Sequence, residues 1–105
     1  MSDPDRYLET LPGGDLVRRG LDDLAHGRPT AEAALVEIAD TRLRSLGLPL
    51  PDATPAADAE LRLYDRLGAR RPDRDPYPTY CAWLEQLDSF VWALVHLRER
   101  ARCAG

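Results

Sequence analysis

Lysine and asparagine are absent from this chain of 105 residues, and isoleucine occurs only once, at Ile38. The codons of these three residues are AT-rich, so their scarcity indicates a GC-rich, bacterial genome. All 14 basic residues are consequently arginine, against 18 acidic residues, and the formal net charge is −4. Nonspecific binding to nucleic acid or to an anionic membrane depends on a basic excess, so this balance argues against both as partners.

Cysteine and histidine are also scarce, with two of each. Cys81 and Cys103 fall on one predicted helix about 33 Å apart, too far for a disulfide within the chain, so we expect reduced thiols. Neither these residues nor His26 and His96 are spaced as a chelating pair, and the Glu-x-x-His order of di-iron bundles is missing. We therefore predict no metal site and no cofactor.

Long apolar runs are missing as well. No stretch reaches the roughly 18 consecutive apolar residues that a membrane-spanning helix needs. The acidic residues 1–9 lack the basic and apolar parts of a signal peptide. No segment alternates with period two, which argues against a sheet. These absences predict a cytoplasmic helical protein with no membrane partner.

Proline, glycine and capping residues divide the chain into helical segments. Asp15, Thr30 and Thr54 are placed to cap the starts of three helices. Three glycines are placed to end the same helices, namely Gly27, Gly47 and Gly68. We predict an all-α fold, a single small bundle of four to five helices spanning residues 1–105. The predicted helices are a short one at 4–11 and longer ones at about 15–26, 31–46, 55–67 and 76–102.

The last of these helices carries the strongest apolar pattern. Nine apolar residues recur at three- and four-residue steps and share one face. They are Tyr80, Trp83, Leu84, Leu87, Phe90, Val91, Leu94, Val95 and Leu97. Because this helix is roughly 40 Å long, we predict that it forms the spine of the fold. Gly20, inside the predicted 15–26 helix, weakens that helix unless a neighbouring element packs closely against it.

Trp92 lies on the opposite face of the last helix. At about 100° per residue, that face also carries Glu85 and Asp88 before Trp92 and His96 and Glu99 after it. A large aromatic residue among charges needs either a protein partner or a second layer of its own chain. The predicted partner-binding residues are Trp92, His96, Glu85 and Glu99.

Two interpretations of this face remain open. In the first, the protein is a noncatalytic helical interaction or adaptor module that self-associates as a homodimer, with Trp92 as an interface anchor. In the second, the N-terminal segment with Tyr7 and Leu8 folds over Trp92 and hides it.

Arg19 and His26 form the pattern with the most catalytic character. An arginine and a histidine separated by four to six residues, here Gly20 to Ala25, resemble the motif of HEPN-type ribonucleases. Those proteins are small helical bundles that usually build a composite site across a dimer. The resemblance covers eight residues and implies RNA cleavage, with Arg19 holding a phosphate and His26 acting in acid–base transfer. The alternative is local, with His26 favouring the helix dipole and Arg19 pairing with a nearby aspartate. Those aspartates are Asp15, Asp22 and Asp23.

Arginine is concentrated in two places. Arg70, Arg71 and Arg74 lie within a proline-rich segment, 68–79, which we predict to be an exposed loop. The second cluster lies in the last turns of the final helix, where positive side chains interact favourably with the helix dipole. It consists of Arg98, Arg100 and Arg102.

Overall fold

The computed structural model describes residues 10–48, 50 and 58–104, with side chains as far as residue 100. Within these ranges the chain forms five α-helices and no strand, which confirms the predicted all-α bundle with a long C-terminal helix. The helices are α1 (Gly14–Ala25), α2 (Ala31–Ile38), α3 (Asp40–Ser45), α4 (Ala59–Arg70) and α5 (Tyr77–Ala104). The predicted short helix at 4–11 lies outside the described residues except at its last two positions.

The start of α1 differs from the prediction. Gly13, with φ of 73°, occupies the N-cap position, and Asp15 lies in the first turn of the helix instead of capping it. A Cβ atom at Gly13 would come within 2.4 Å of the carbonyl oxygen of Gln86 in α5. Glycine is therefore required here by both its backbone angle and the proximity of α5.

The end of α1 follows the prediction. Gly27 has φ of 69°, the Arg28 N–H donates to the Asp23 carbonyl at 2.7 Å, and the Gly27 N–H donates to the Leu24 carbonyl at 3.2 Å. These two hydrogen bonds form a Schellman motif, which satisfies carbonyl groups that the end of a helix leaves unpaired. The helix therefore ends at the glycine that the sequence marks.

Helix α2 occupies the centre of the fold. Its residues Ala31 to Val36 are all buried, and both α1 and α4 make their most extensive contacts with it. The approach of α1 is close because Gly20 has no side chain, and a Cβ atom there would lie 2.4 Å from the Glu32 carbonyl oxygen. Helix α5 contacts α1, α2 and α4 less extensively than α2 contacts α1 and α4. The short, largely apolar α2 is therefore at the centre of the fold, and not the last helix that the sequence predicted to be the spine.

The helix predicted at 31–46 is two helices. Its start is confirmed, since the Thr30 hydroxyl accepts a hydrogen bond from the Ala33 N–H at 3.1 Å. At Ala39 the chain leaves helical geometry, with φ of −102° and ψ of 19°, and α3 begins at the next residue. Leu43 in α3 is fully buried in the core, and the Asp40 carboxylate accepts from Arg44 Nε at 2.9 Å. The chain thus breaks a helix that the sequence predicted to be continuous.

Helix α4 ends later than predicted. It passes through Gly68, which does not adopt a positive φ, and continues to Arg70. Arg71 then leaves helical geometry, with φ of −135° and ψ of 74°, because the following Pro72 disfavours the helical region for the residue before it. The predicted start of this helix at Thr54 and Pro55 lies outside the described residues.

Helix α5 matches its predicted span of 76–102 closely. Leu87, Phe90, Val91 and Leu94 are buried in the core, whereas Leu97, predicted on the same apolar face, is 42% exposed. The principal extents of the molecule are 50 × 28 × 27 Å, and a helix of this length measures about 42 Å. None of the helices in the described part of the chain is both long and apolar enough to cross a membrane.

Candidate interaction surface on α5

The candidate site is the face of α5 that points away from the core. Phe90, Val91 and Leu94 occupy the buried face, so the intervening Trp92 is directed outward and is 67% exposed. It is the most exposed of the large apolar side chains in the described part of the chain. The helical spacing of the neighbouring core residues therefore determines the outward position of Trp92.

His96 lies against Trp92 one turn further along the helix. The two ring centroids are 3.9 Å apart and the ring planes are tilted by 52°. Both rings are exposed, so together they form one raised aromatic surface. This spacing of four residues brings side chains together on a helix surface, and the structure confirms that these two predicted residues are neighbours.

A cleft of about 350 Å³ adjoins the two rings. Its other lining residues are Leu11, Ala93, Leu97 and Arg100. Leu97 is the residue that the apolar pattern assigned to the core, and Leu11 comes from the segment that precedes α1. Sequence reasoning missed this cleft because Leu11 lies some 80 residues from Trp92 in the chain.

The predicted acidic residues Glu85 and Glu99 are exposed and lie two turns before and two turns after Trp92. The nearer Asp88 has a carboxylate oxygen 3.6 Å from Arg42 Nη1, in α3. This pair is solvent-exposed on both sides and contributes little to stability. The surface thus combines an apolar centre with a charged rim, as protein interfaces commonly do.

The predicted coverage of Trp92 by Tyr7 and Leu8 lies outside the described residues.

Arg98 does not belong to this face. Its Nη1 donates a hydrogen bond to the Leu46 carbonyl oxygen at the end of α3, and a Cβ atom at Gly47 would lie 3.0 Å from the same nitrogen. The guanidinium therefore binds the C-terminal end of a neighbouring helix, although the sequence placed it at the dipole of its own helix. This bond joins α5 to the turn after α3.

The two residues of the HEPN-like pattern lie on the surface of α1. His26 is the C-cap residue, and its Nδ1 lies 2.8 Å from the Asp22 carbonyl oxygen, within its own helix. Asp22 and Asp23, two of the three aspartates that the local interpretation offered to Arg19 beside Asp15, both pair with Arg28. The local interpretation of His26 matches this geometry, and RNA cleavage stays a prediction.

Metal-ligating side chains do not cluster in the part of the chain whose side chains are described. Among residues 10–48, 50 and 58–100, no three histidine, cysteine, aspartate or glutamate side chains are grouped so that they would hold a metal ion. Comparison with known proteins finds no matching family model, no matching curated protein and no matching solved structure.

Proposed function

We propose that this protein is a noncatalytic helical interaction module that pairs with a second copy of itself through the Trp92 face of α5. The observation that carries the proposal is the 67% exposure of Trp92, beside the cleft that contains Leu11, Ala93 and Leu97. Tryptophan is strongly enriched among the residues that dominate binding energy at protein interfaces. An apolar ring with charged neighbours is therefore well suited to be the anchor of such an interface.

A second copy is the occupant that best complements this face. An antiparallel arrangement of two α5 helices about a two-fold axis between Trp92 and Ala93 brings the large indole level with the small Ala93 of the other copy. In the same register, Ser89 of one copy is level with His96 of the other, and Glu85 of one copy is level with Arg100 of the other. Every such contact forms twice, because a two-fold interface uses the same patch on both subunits.

The same register avoids repulsion. Glu99 is level with Gln86 of the second copy, and Asp88 is level with Leu97, so no two like charges stand directly opposite one another. Opposite charges across an interface fix its register and discourage incorrect pairings. The sequence of α5 is in this respect complementary to itself in the antiparallel direction.

The first test is the mass of the protein in solution, measured by light scattering over a range of concentrations. One chain has a mass of 11.7 kDa, and we expect about 23 kDa for the pair. Trp92→Glu should return the mass to that of one chain. The matched control is Leu61→Glu, which introduces the same charge at another exposed apolar residue, 60% exposed on α4, and should leave the dimer intact.

Charge reversals at Glu85 and Arg100 test the antiparallel register of the proposed dimer. Glu85→Arg and Arg100→Glu should each weaken the dimer by placing like charges level with one another, and the double variant should restore it. Failure of the double variant to recover would refute this register. A wild-type protein that remains monomeric at its highest soluble concentration would refute self-association itself.

The same preparations test the ribonuclease hypothesis. If Arg19 and His26 cleave RNA, the wild-type protein degrades an RNA substrate and His26→Ala does not. Equal, background-level cleavage by both proteins would remove that hypothesis. The mass measurement is independent of this outcome, so the two functions are distinguished by one set of proteins.

A further inference from the structure

A second cleft, of about 380 Å³, opens where the end of α4 meets the start of α5. Its polar lining includes the three arginines Arg70, Arg71 and Arg74, together with Thr79. We propose that this cleft binds the phosphate group of a small phosphomonoester. The proposal concerns a different surface from the α5 interface and does not depend on self-association.

Arg70 is fixed in position within this cleft. Both of its terminal nitrogens donate to the carboxylate of Glu32, one of them at 3.3 Å, and Glu32 is only 8% exposed. The guanidinium carbon lies 5.8 Å from the ring centroid of Trp83, which gives a cation–π contact. Glu32 already balances the charge of Arg70, so Arg70 forms a rigid wall of the cleft. The other two arginines, Arg71 and Arg74, are the ones that would bind the anion.

Arg71 and Arg74 supply the free positive charge. A hydrogen bond of 3.1 Å from the Arg74 N–H to the Arg71 carbonyl closes the turn between them, and both residues are exposed. Asp73 lies in the same turn but is not part of the cleft lining, whereas Asp75 is. The Asp75 carboxylate accepts a hydrogen bond from the Tyr77 N–H at 3.1 Å, at the start of α5.

The chemistry of the lining indicates the class of ligand. Guanidinium groups form paired hydrogen bonds with phosphate oxygens. With Arg70 neutralised by Glu32, the lining keeps two arginines against the single carboxylate of Asp75, and this net positive charge favours a phosphomonoester anion. The arginines of this cleft are confined to one turn of a chain with a net charge of −4, so a long polyanion would find no continuing basic surface. The volume is in the range of small-molecule sites.

Trp83 also provides a direct signal for binding, because it lines the cleft. The chain has two tryptophans, so Trp92→Phe leaves Trp83 as the only one. In this background we expect glycerol phosphate to change the Trp83 emission in a saturable way at constant ionic strength. Glycerol, which lacks the phosphate, should produce no change, and isothermal titration calorimetry on the wild-type protein should give the same affinity.

Substitution of one arginine tests the assignment. Arg74→Gln should weaken glycerol phosphate binding by about tenfold or more, because a charge-assisted hydrogen bond is lost. The matched control is Arg42→Gln, which removes the same charge from an exposed arginine of α3 outside the cleft, and its affinity should equal that of the wild type.

Three results would overturn the proposal. These are the absence of saturable binding by either method, equal affinities for Arg74→Gln and Arg42→Gln, and tighter binding of a single-stranded RNA than of glycerol phosphate with a steep dependence on salt. The last result would identify a polyanion as the ligand. Circular dichroism confirms that each variant remains folded, so that a lost signal reports the cleft and not unfolding.

Discussion

Helix α2 and the C-terminal half of α5 both carry apolar residues, yet α2 is covered by neighbouring helices more extensively than α5 is. Every residue from Ala31 to Val36 in α2 is buried, whereas in α5 Trp92 is 67% exposed and Leu97 is 42% exposed. Helix α2 has α1 and α4 as neighbours, while this half of α5 has the core on one side only. The comparison teaches that the burial of an apolar residue here depends on how many elements surround its helix, and only then on its own hydrophobicity.

The largest effect on the free energy of unfolding should come from creating a cavity in the core around α2. Leu35→Ala removes a fully buried side chain and should lower the free energy of unfolding by about 2 to 5 kcal/mol. Leu97→Ala, on the exposed part of α5, should change it by less than about 0.5 kcal/mol. Urea unfolding curves measure both values. Equal losses would show that the two regions are packed alike.

A smaller loss in the free energy of unfolding should follow from a substitution that pushes α1 away from α2. Gly20→Ala places a methyl group 2.4 Å from the backbone oxygen of Glu32 and should cost about 1 to 3 kcal/mol. Gly68→Ala is the matched control, since its methyl group would be 3.6 Å from Pro76 and should stabilise α4 by up to about 1 kcal/mol. Thermal unfolding should therefore shift in opposite directions for the two variants.

The cap of α2 should contribute about 1 kcal/mol. Thr30→Ala removes both the bond that the hydroxyl accepts from the Ala33 N–H and the one that it donates to Asp23 Oδ2 at 2.5 Å. Thr41→Ala, at an exposed position in α3, should have almost no effect. A stability for Thr30→Ala that equals that of the wild type would mean that burial alone holds the start of α2.

Trp92 should matter little to the stability of a single chain. At concentrations where the protein is monomeric, Trp92→Ala should alter the free energy of unfolding by no more than about 0.5 kcal/mol, because the side chain is largely exposed. A loss of about 3 to 5 kcal/mol, typical of a buried aromatic, would instead show that Trp92 is covered by its own chain. Chemical denaturation at several dilutions makes the measurement.

The smallest effect concerns the first turns of α5 at alkaline pH. Burial raises the pKa of Tyr80 above its ordinary value of 10.0, and the nearby Glu60 and Cys81 raise this pKa further. Above pH 10.0 the unfolded chain therefore loses this proton before the folded protein does, and the free energy of unfolding falls as the pH rises. Tyr80→Phe should make that fall shallower. Identical pH profiles for the two proteins would contradict the burial of this phenol.

Local signals in the sequence were sufficient for much of the secondary structure. The Thr30 cap and the glycine ends at Gly27 and Gly47 depend on hydrogen bonds within a few residues, so each was predictable from its own neighbourhood. The outward position of Trp92 was predictable for the same reason, because the angle between successive residues of a helix is constant. Its proximity to His96 follows from the same angle.

The errors arose where distant segments meet. The turn at Ala39 was missed because no glycine or proline marks a break between Thr30 and Gly47. Helix α4 passes through Gly68, which does not adopt the positive φ that Gly27 and Gly47 adopt at the ends of α1 and α3. The cleft beside Trp92 needs Leu11, and the fixed Arg70 needs Glu32, which precedes it by 38 residues. Spacing along the chain does not report such contacts.

The sequence by itself determined that the protein is helical, where α1 and α3 end, where α2 begins, and which face of α5 carries Trp92. These features follow from backbone hydrogen bonding and helical periodicity, which act over a few residues. Only the tertiary structure decided that α2 is the central helix, that Arg98 binds the end of α3, and that three arginines share a cleft with Trp83. Those outcomes depend on which apolar surfaces exclude water together, and that is settled only when all the helices pack.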